Sequence, residues 1–428
     1  MAKKGEIVGG VDFGSREVRV LIGRRGDDGG VQIVGHGTAP GRGCVSQGVI
    51  QDLGAAQSAL KRALTAAKKE AGIKLTSLFC GVNGKKVETF IREGNVKLEK
   101  EVAELRHLEE ALDVASRDIL APGKRVVSSI TSQEWYVDDL RVRDPIGIRG
   151  SILKTRVHFA QLPTVIEDNL LSCIESQGCE LEDVVFMPLA AALGCLTPED
   201  MELGVAVMDI GRTTTGIAVY RDRRILATHS FEWGGFHITR DVAAGLQVSF
   251  EEAVDLVMEY GIPELLIRGL AQAEAEEEGA PAAADAEPQS PHIKLKSAVR
   301  GAPSIVERGE LDMMVFERSK ELMTKVRQYL NSRGLAKHLV RGVVLTGGGA
   351  RIRNQASLAE ALFQVPARVG LPDGIDVLPQ AVNSPEFAPV SGVVRHGFEY
   401  RDAARSGRIK APRSTIAAVG HFFSKYFF

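Results

Sequence analysis

Two aspartates, each two residues ahead of a glycine at the end of an apolar run, are the groups in this sequence best placed to do chemistry. Asp12 stands in Ile7-Val8-Gly9-Gly10-Val11-Asp12-Phe13-Gly14-Ser15, which continues into Val18-Arg19-Val20-Leu21-Ile22. Asp209 stands in Val205-Ala206-Val207-Met208-Asp209-Ile210-Gly211, which continues into Ile217-Ala218-Val219-Tyr220. Each segment reads as a β-hairpin whose tip can touch phosphate. A small residue there lets backbone N–H groups approach phosphate oxygens, and an aspartate just before it can hold magnesium through water. Taken singly, either turn equals an ordinary hairpin, because Asp and Gly are good turn residues. The repetition is what favours phosphate.

A third element points the same way. The buried-strand run Gly342-Val343-Val344-Leu345-Thr346 ends in Gly347-Gly348-Gly349-Ala350, ahead of an amphipathic stretch with Leu358, Ala359 and Leu362. Consecutive glycines let a flat ring lie against backbone with no Cβ in the way. The G-x-G-x-x-G spacing of a dinucleotide turn is absent, so this turn reads as an adenosine contact.

The elements that must position these turns repeat as well. After the first hairpin come a third strand at 31–35 and a helix through Leu60 and Leu64, and the second copy repeats the strands with 224–228 as its third. The expectation is a duplicated α/β architecture with helices packed behind strands. The segment 82–158, with a charged helix over 101–120 and strands over 126–130, 134–137 and 153–159, reads as an inserted α+β subdomain. The stretch 271–291 is rich in Ala, Glu and Pro and is expected to be a disordered acidic loop, most simply a linker insertion.

Composition sets the bounds. A chain of 428 residues with 44% hydrophobic side chains builds more than one compact unit. A formal charge of −2 gives no chain-wide field for nucleic acid, and no such partner is expected. The five cysteines, Cys44, Cys80, Cys173, Cys179 and Cys195, lack C-x-x-C spacing and fit reduced cytoplasmic thiols. No secretory signal opens the chain and no apolar run approaches the ~20 residues that cross a bilayer, so a soluble or peripheral protein is expected.

The last residues change character. Arg401, Arg405, Arg408, Lys410 and Arg413 form a basic linker over 401–413, and Ser414 then N-caps a helix with Ile416, Val419, Phe423, Tyr426 and Phe427 at helical spacing. At 1.5 Å per residue this helix is about 22 Å long, too short to span a bilayer but suited to lie in its surface. A helix docked on its own core is the alternative; the long basic spacer and the crowding of aromatics favour the membrane surface.

These motifs together resemble the actin-like ATPase superfamily and, within it, the FtsA family of bacterial cell-division proteins. The resemblance covers nearly the whole chain. It rests on Asp12 to Ser15, Gly48-Val49-Ile50-x-Asp52-Leu53, Gly81-Val82-Asn83-Gly84-Lys85, Gln133-Glu134-Trp135, Asp144-Pro145-Ile146-Gly147, Glu202-Leu203-Gly204, Thr239-x-Asp241 and Leu345-Thr346-Gly347-Gly348. Pro188-Leu189-Ala190 and Gly392 resemble its two interdomain connector helices, and the terminal amphipathic helix is a feature of this family.

The resemblance implies an actin-like two-lobe fold of ribonuclease H-like halves around ATP and magnesium. The first lobe is expected over 1–83, 159–200 and 380–400, the insert over 84–158, the second-lobe core over 201–245 and 300–379, its small subdomain over 246–299, and the membrane helix over 414–428. Asp12 and Asp209 would hold magnesium through water. Gly14, Ser15, Gly211, Arg212, Thr213 and Thr214 would meet phosphate, and Gly347, Gly348 and Gly349 the adenosine, with Arg318 and Glu321 as ribose or base contacts. Implied partners are other copies of the chain, the C-terminal tail of the tubulin-like FtsZ, anionic lipid at the inner face of the cytoplasmic membrane at the septum, and other division proteins. The FtsZ tail would meet 239–261, where Val242, Val254, Leu256 and Val257 read as core and Glu251, Glu252, Asp255 and Glu259 as surface charge.

The chain departs from the family where hydrolysis is concerned. The second phosphate turn usually reads Asp-Ile-Gly-Gly-Gly-Thr-x-Asp, whereas here Arg212 and Thr213 replace two glycines and Gly216 replaces the second acid. Met187 stands where hydrolytic relatives place an acid or amide. ATP binding with weak or absent hydrolysis is therefore expected. A pilus-assembly scaffold of the PilM type and a metabolic kinase of the same superfamily remain as alternatives; a kinase needs a general base, and none is evident.

Overall fold

The computed structural model describes residues 5–405, apart from 42, 100–101, 118, 120–121, 143, 277–290 and 297–304. The membrane-helix residues Ile416, Val419, Phe423, Tyr426 and Phe427, the linker beyond 405 and most of the acidic loop lie outside the described residues.

In the first lobe, β1 (Ile7–Phe13), β2 (Glu17–Arg25) and β3 (Val31–Pro40) form an antiparallel meander, followed by the two-residue strands β4 (Val45–Ser46) and β5 (Val49–Ile50), helix α1 (Leu53–Ala71) and β6 (Ser77–Val82). The insert contributes β7 (Glu88–Lys97), α2 (Leu105–Ser116), β8 (Lys124–Val137), β9 (Leu140–Val142) and β10 (Ile152–Pro163), in the order β7-β10-β8-β9. The chain returns through α3 (Thr164–Glu175) and β11 (Glu180–Phe186), giving the sheet β11-β6-β1-β2-β3. Helices α4 (Met187–Cys195) and α5 (Pro198–Leu203) lead onward.

The second lobe repeats the plan. Strands β12 (Val205–Ile210), β13 (Thr215–Arg221) and β14 (Arg224–Phe231) form a second antiparallel meander, followed by α6 (Gly235–Gly245), α7 (Phe250–Tyr260), α8 (Glu264–Glu276), the short pair β15 (His292–Lys294) and β16 (Ile305–Glu307), and α9 (Arg308–Ser332). Then β17 (Val343–Thr346), α10 (Gln355–Phe363), β18 (Ala367–Val369) and the last helix α11 (Ala388–Arg405) complete the order β14-β13-β12-β17-β18. In both sheets two parallel strands join the first strand of the meander, so the expected duplicated α/β architecture is present.

Local chemistry explains the packing. Asp52 caps α1 by accepting the Ala55 N–H at 2.9 Å, and Gly72 ends the helix in the left-handed conformation. The helix buries Ala56, Ala59, Leu60, Ala63, Leu64 and Ala67. Gly35 and Gly37 of β3 have no room for a Cβ, because the Ala67 and Ala63 carbonyls occupy it. The same device joins the lobes: α4 and α11 cross with Gly194 against the Ala388 carbonyl and Gly392 against the Ala190 carbonyl, so two backbones touch where the halves meet. All five cysteines are free and buried.

Several expectations change: 126–130 and 134–137 join in the single strand β8, the helix expected over 101–120 is the shorter α2, and Val254, expected in the core, is only half-buried. Residues 401–405, expected to begin the basic linker, are the last turn of α11: Arg401 pairs with Glu182, Arg405 Nη1 lies 2.7 Å from Glu6, and Asp402 lies 2.6 Å from Arg25. These charges find fixed partners on the first lobe, which holds the helix together. Residues 271–276, expected in the disordered loop, extend α8. Glu252, expected on the surface, is buried and accepts the Lys296 N–H near the cap of α7, whereas Glu251, Asp255 and Glu259 are exposed. Among the described residues no helix is long and apolar enough to cross a membrane.

Candidate functional site

The two hairpin tips face each other across a cleft between the lobes, with a cavity of about 140 Å³. Asp12 at the end of β1 and Asp209 near the end of β12 both line it, with Gly14, Ser15, Gly211, Arg212 and Thr214 from the tips and Gly347, Gly348 and Gly349 from the turn after β17. The parallel pairing of β12 with β17, Asp209 opposite Thr346, brings the second aspartate to the glycine turn.

Burial governs the carboxylates. It pushes Asp12 up against the lowering effect of Arg19, and it pushes Asp209 up to about 7, helped by the charge of Asp12. Two buried carboxylates that feel each other favour a proton or a cation between them. The local donor set is hard oxygen, and among the described residues no group of three or more metal-ligating side chains exists. Two carboxylates fit a magnesium ion that keeps its waters and takes phosphate oxygens. Gly347, at φ 78°, lies so close that a Cβ would strike Asp209 Oδ1, while a Cβ on Gly348 would meet nothing within 4 Å, leaving its backbone face open to a ligand.

Arg19 is a site residue that the motifs did not flag. It sits directly opposite Asp12 in the hairpin register, is 7% exposed, and places Nη1 3.9 Å from Asp12 and Nη2 2.8 Å from Glu17. A cation inside the apolar run Val18–Ile22 was the available signal. Phe236 and Phe250 also line the cleft and were not foreseen, because an aromatic side chain by itself carries no phosphate signal.

The altered second turn bridges the lobes. Thr213 Oγ1 lies 2.8 Å from Ser15 Oγ and accepts the Gln47 N–H at 3.0 Å. Arg212 donates to the Ser15 carbonyl at 3.3 Å, its guanidinium held 5.1 Å from the ring centroids of both Phe236 and Phe250. Asn83 reaches Thr214 Oγ1 at 3.4 Å. Thr213 thus acts across the cleft and is absent from the cavity wall. Arg318 and Glu321 are absent from it too: Arg318 pairs with Asp241 and, at 2.6 Å, with Glu321.

Met187 lines the cleft as the first residue of α4 and packs on Gly81. Gly216 is paired with Asp209 and faces Pro188, whose Cγ would lie 2.7 Å from an added Cβ. A second acid at that position has no space.

The profile of the family described as "Cell division protein FtsA" matches residues 206–392. A protein of that description from Pseudomonas aeruginosa is 27% identical over 398 residues, covering 93% of this chain and 90% of its own length. Among solved structures, the PilM-PilN type IV pilus biogenesis complex superposes with a TM-score of 0.63 at 16% identity, covering 91% of this chain and 98% of that one. MreB5 of Spiroplasma citri bound to AMPPNP does so at 0.54 and 15%, covering 95% and 100%. The two-lobe fold is that of the actin-like ATPases.

Proposed function

We propose that this chain, a member of the FtsA family of actin-like cell-division proteins, binds ATP with magnesium, polymerises, and tethers the FtsZ ring to the inner face of the cytoplasmic membrane through its C-terminal amphipathic helix. The observation that carries the nucleotide part is the meeting of Asp12, Asp209 and the open backbone of Gly348 in one interlobe cleft. Asp12 and Asp209 would hold the hydrated ion, the N–H groups of Gly14, Ser15 and Gly211 the phosphates, and the Gly347–Gly349 turn the adenosine. Magnesium would neutralise charge between the carboxylates and the phosphates. The bound AMPPNP of the MreB5 structure supports the reading by likeness of fold.

Apolar Met187 and Gly216 remove the polar groups that position water, and such positioning is worth several kcal/mol in a transition state. The nucleotide then acts as a conformational ligand whose differential affinity for closed lobes favours polymer. The tail contributes weak membrane affinity per chain and firm attachment per filament. Exposed Glu251, Asp255 and Glu259 on α7 are the proposed contacts for the FtsZ tail.

Calorimetric titration with ATP and magnesium, with phosphate release measured on the same preparation, tests the cleft. Binding without brisk turnover is expected; no binding, with Asp12→Ala and Asp209→Ala equal to the parent, rejects it. Vesicle co-sedimentation of the full chain against one ending at Gly407 separates this reading from a PilM-type scaffold, for which the tail would make no difference.

A further inference from the structure

A second cavity, of about 290 Å³, lies where the insert meets the second lobe and shares no lining residue with the cleft. Its walls come from different units: Ile91 of β7, Glu134 of β8 and Arg156 of β10 on one side, and β14 with the turn after α9 on the other. The single carboxylate in this lining is already neutralised. Glu134 pairs with Arg224, lies 3.4 Å from Arg156 Nη1 and accepts the Tyr136 hydroxyl at 2.9 Å. Cations are in excess, because Arg333 and Lys337 stand at the opposite wall.

Two guanidinium groups are held in place from opposite sides. Arg156 is fixed on the insert by Glu93 at 3.3 Å as well as by Glu134. Arg333 lies 4.9 Å from the centroid of the Tyr329 ring, which is itself stacked on His229 at 4.7 Å and 12°. Between them Ile91, Ile225 and Leu226 supply apolar surface. The C-terminal carbonyls of α9 account for basic residues just beyond that helix. They do not account for an apolar-floored cavity with a third cation facing from another unit.

We propose that this cavity binds a small organic anion, a carboxylate or phosphate ester with an apolar body, between Arg156 on the insert and Arg333 and Lys337 on the second lobe. Such a ligand bridges the two units and stiffens the seat of the insert. Fixed guanidinium groups match the geometry of carboxylate and phosphate alike.

The test uses the full chain in calorimetric titrations with phenyl phosphate, benzoate and the neutral benzyl alcohol. Saturable one-to-one binding of at least one anion is expected, with Kd of about 1 mM or tighter. The variant Arg333→Glu/Lys337→Glu should lose about tenfold or more in affinity. The better of the two anions assigns the head group. Failure of both anions, equal binding of benzyl alcohol, or undiminished binding by the double variant, which would place the anion in the nucleotide cleft, each overturns the proposal. Both substituted side chains are exposed; should circular dichroism nevertheless show misfolding, Arg333→Gln and Lys337→Ala decide by the same loss.

Discussion

Replacing Arg212 by Ala and Thr213 by Val tests whether protein contacts hold the cleft closed. The pair removes the bonds from Thr213 Oγ1 to Ser15 Oγ and the Gln47 N–H and the bond from Arg212 to the Ser15 carbonyl, while avoiding the backbone freedom that glycine would add. Each hydrogen bond contributes about 1 kcal/mol net, so the closed state should lose about 2–3 kcal/mol relative to the open one. That is roughly a 30- to 160-fold change in the ratio of closed to open lobes. Distances between spin labels on exposed positions of the two lobes, measured without nucleotide, read that ratio directly. The double variant should show a broadened, longer distribution that ATP and magnesium shorten again. If its distribution coincides with the parent's, these bonds do not hold the lobes and the reasoning fails.

Other outcomes follow from single side chains. His158, buried and 2.9 Å from Thr228 Oγ1 across the junction between insert and second lobe, has its pKa lowered to about 4 by burial. Between pH 6.5 and 4 the unfolded chain therefore binds a proton that the folded chain refuses, and stability falls by up to about 3 kcal/mol as pH drops; denaturant melts of His158→Gln should show a flatter slope through that window. Glu134→Ala leaves Arg224, 10% exposed, beside Asp222 alone, and should cost about 3 kcal/mol in chemical denaturation. Lys85→Ala, which breaks the exposed 3.3 Å pair with Glu232, should cost below about 1 kcal/mol. Gly216→Asp drives a side chain into Pro188 and should destabilise by about 1–3 kcal/mol without restoring phosphate release. Phe423→Asp with Phe427→Asp should move the protein from vesicles to the soluble fraction at an unchanged melting temperature; a large fall in melting temperature would support a docked tail instead.

The sequence alone determined the duplicated plan, because strand periodicity and Asp-x-Gly turns are local and occur twice. It also named the residues of the cleft whose signal is local: Asp12, Asp209 and the Gly347–Gly349 run. Only the tertiary structure decided which side chains meet across chain separations of a hundred residues and more. Arg19 lines the cleft opposite second-lobe residues and lies over the ring of Phe387, and Thr213 bridges to Ser15 through the closure of two lobes. Arg318 and Glu321 have the polarity for a ribose contact, yet packing of α9 against α6 directs Arg318 to Asp241. Arg401 and Arg405 read as a solvated basic linker until Glu6 and Glu182, at the far end of the chain and on another strand, supply their partners. Composition records a charge, whereas its partner is set by which surfaces the buried cores bring together.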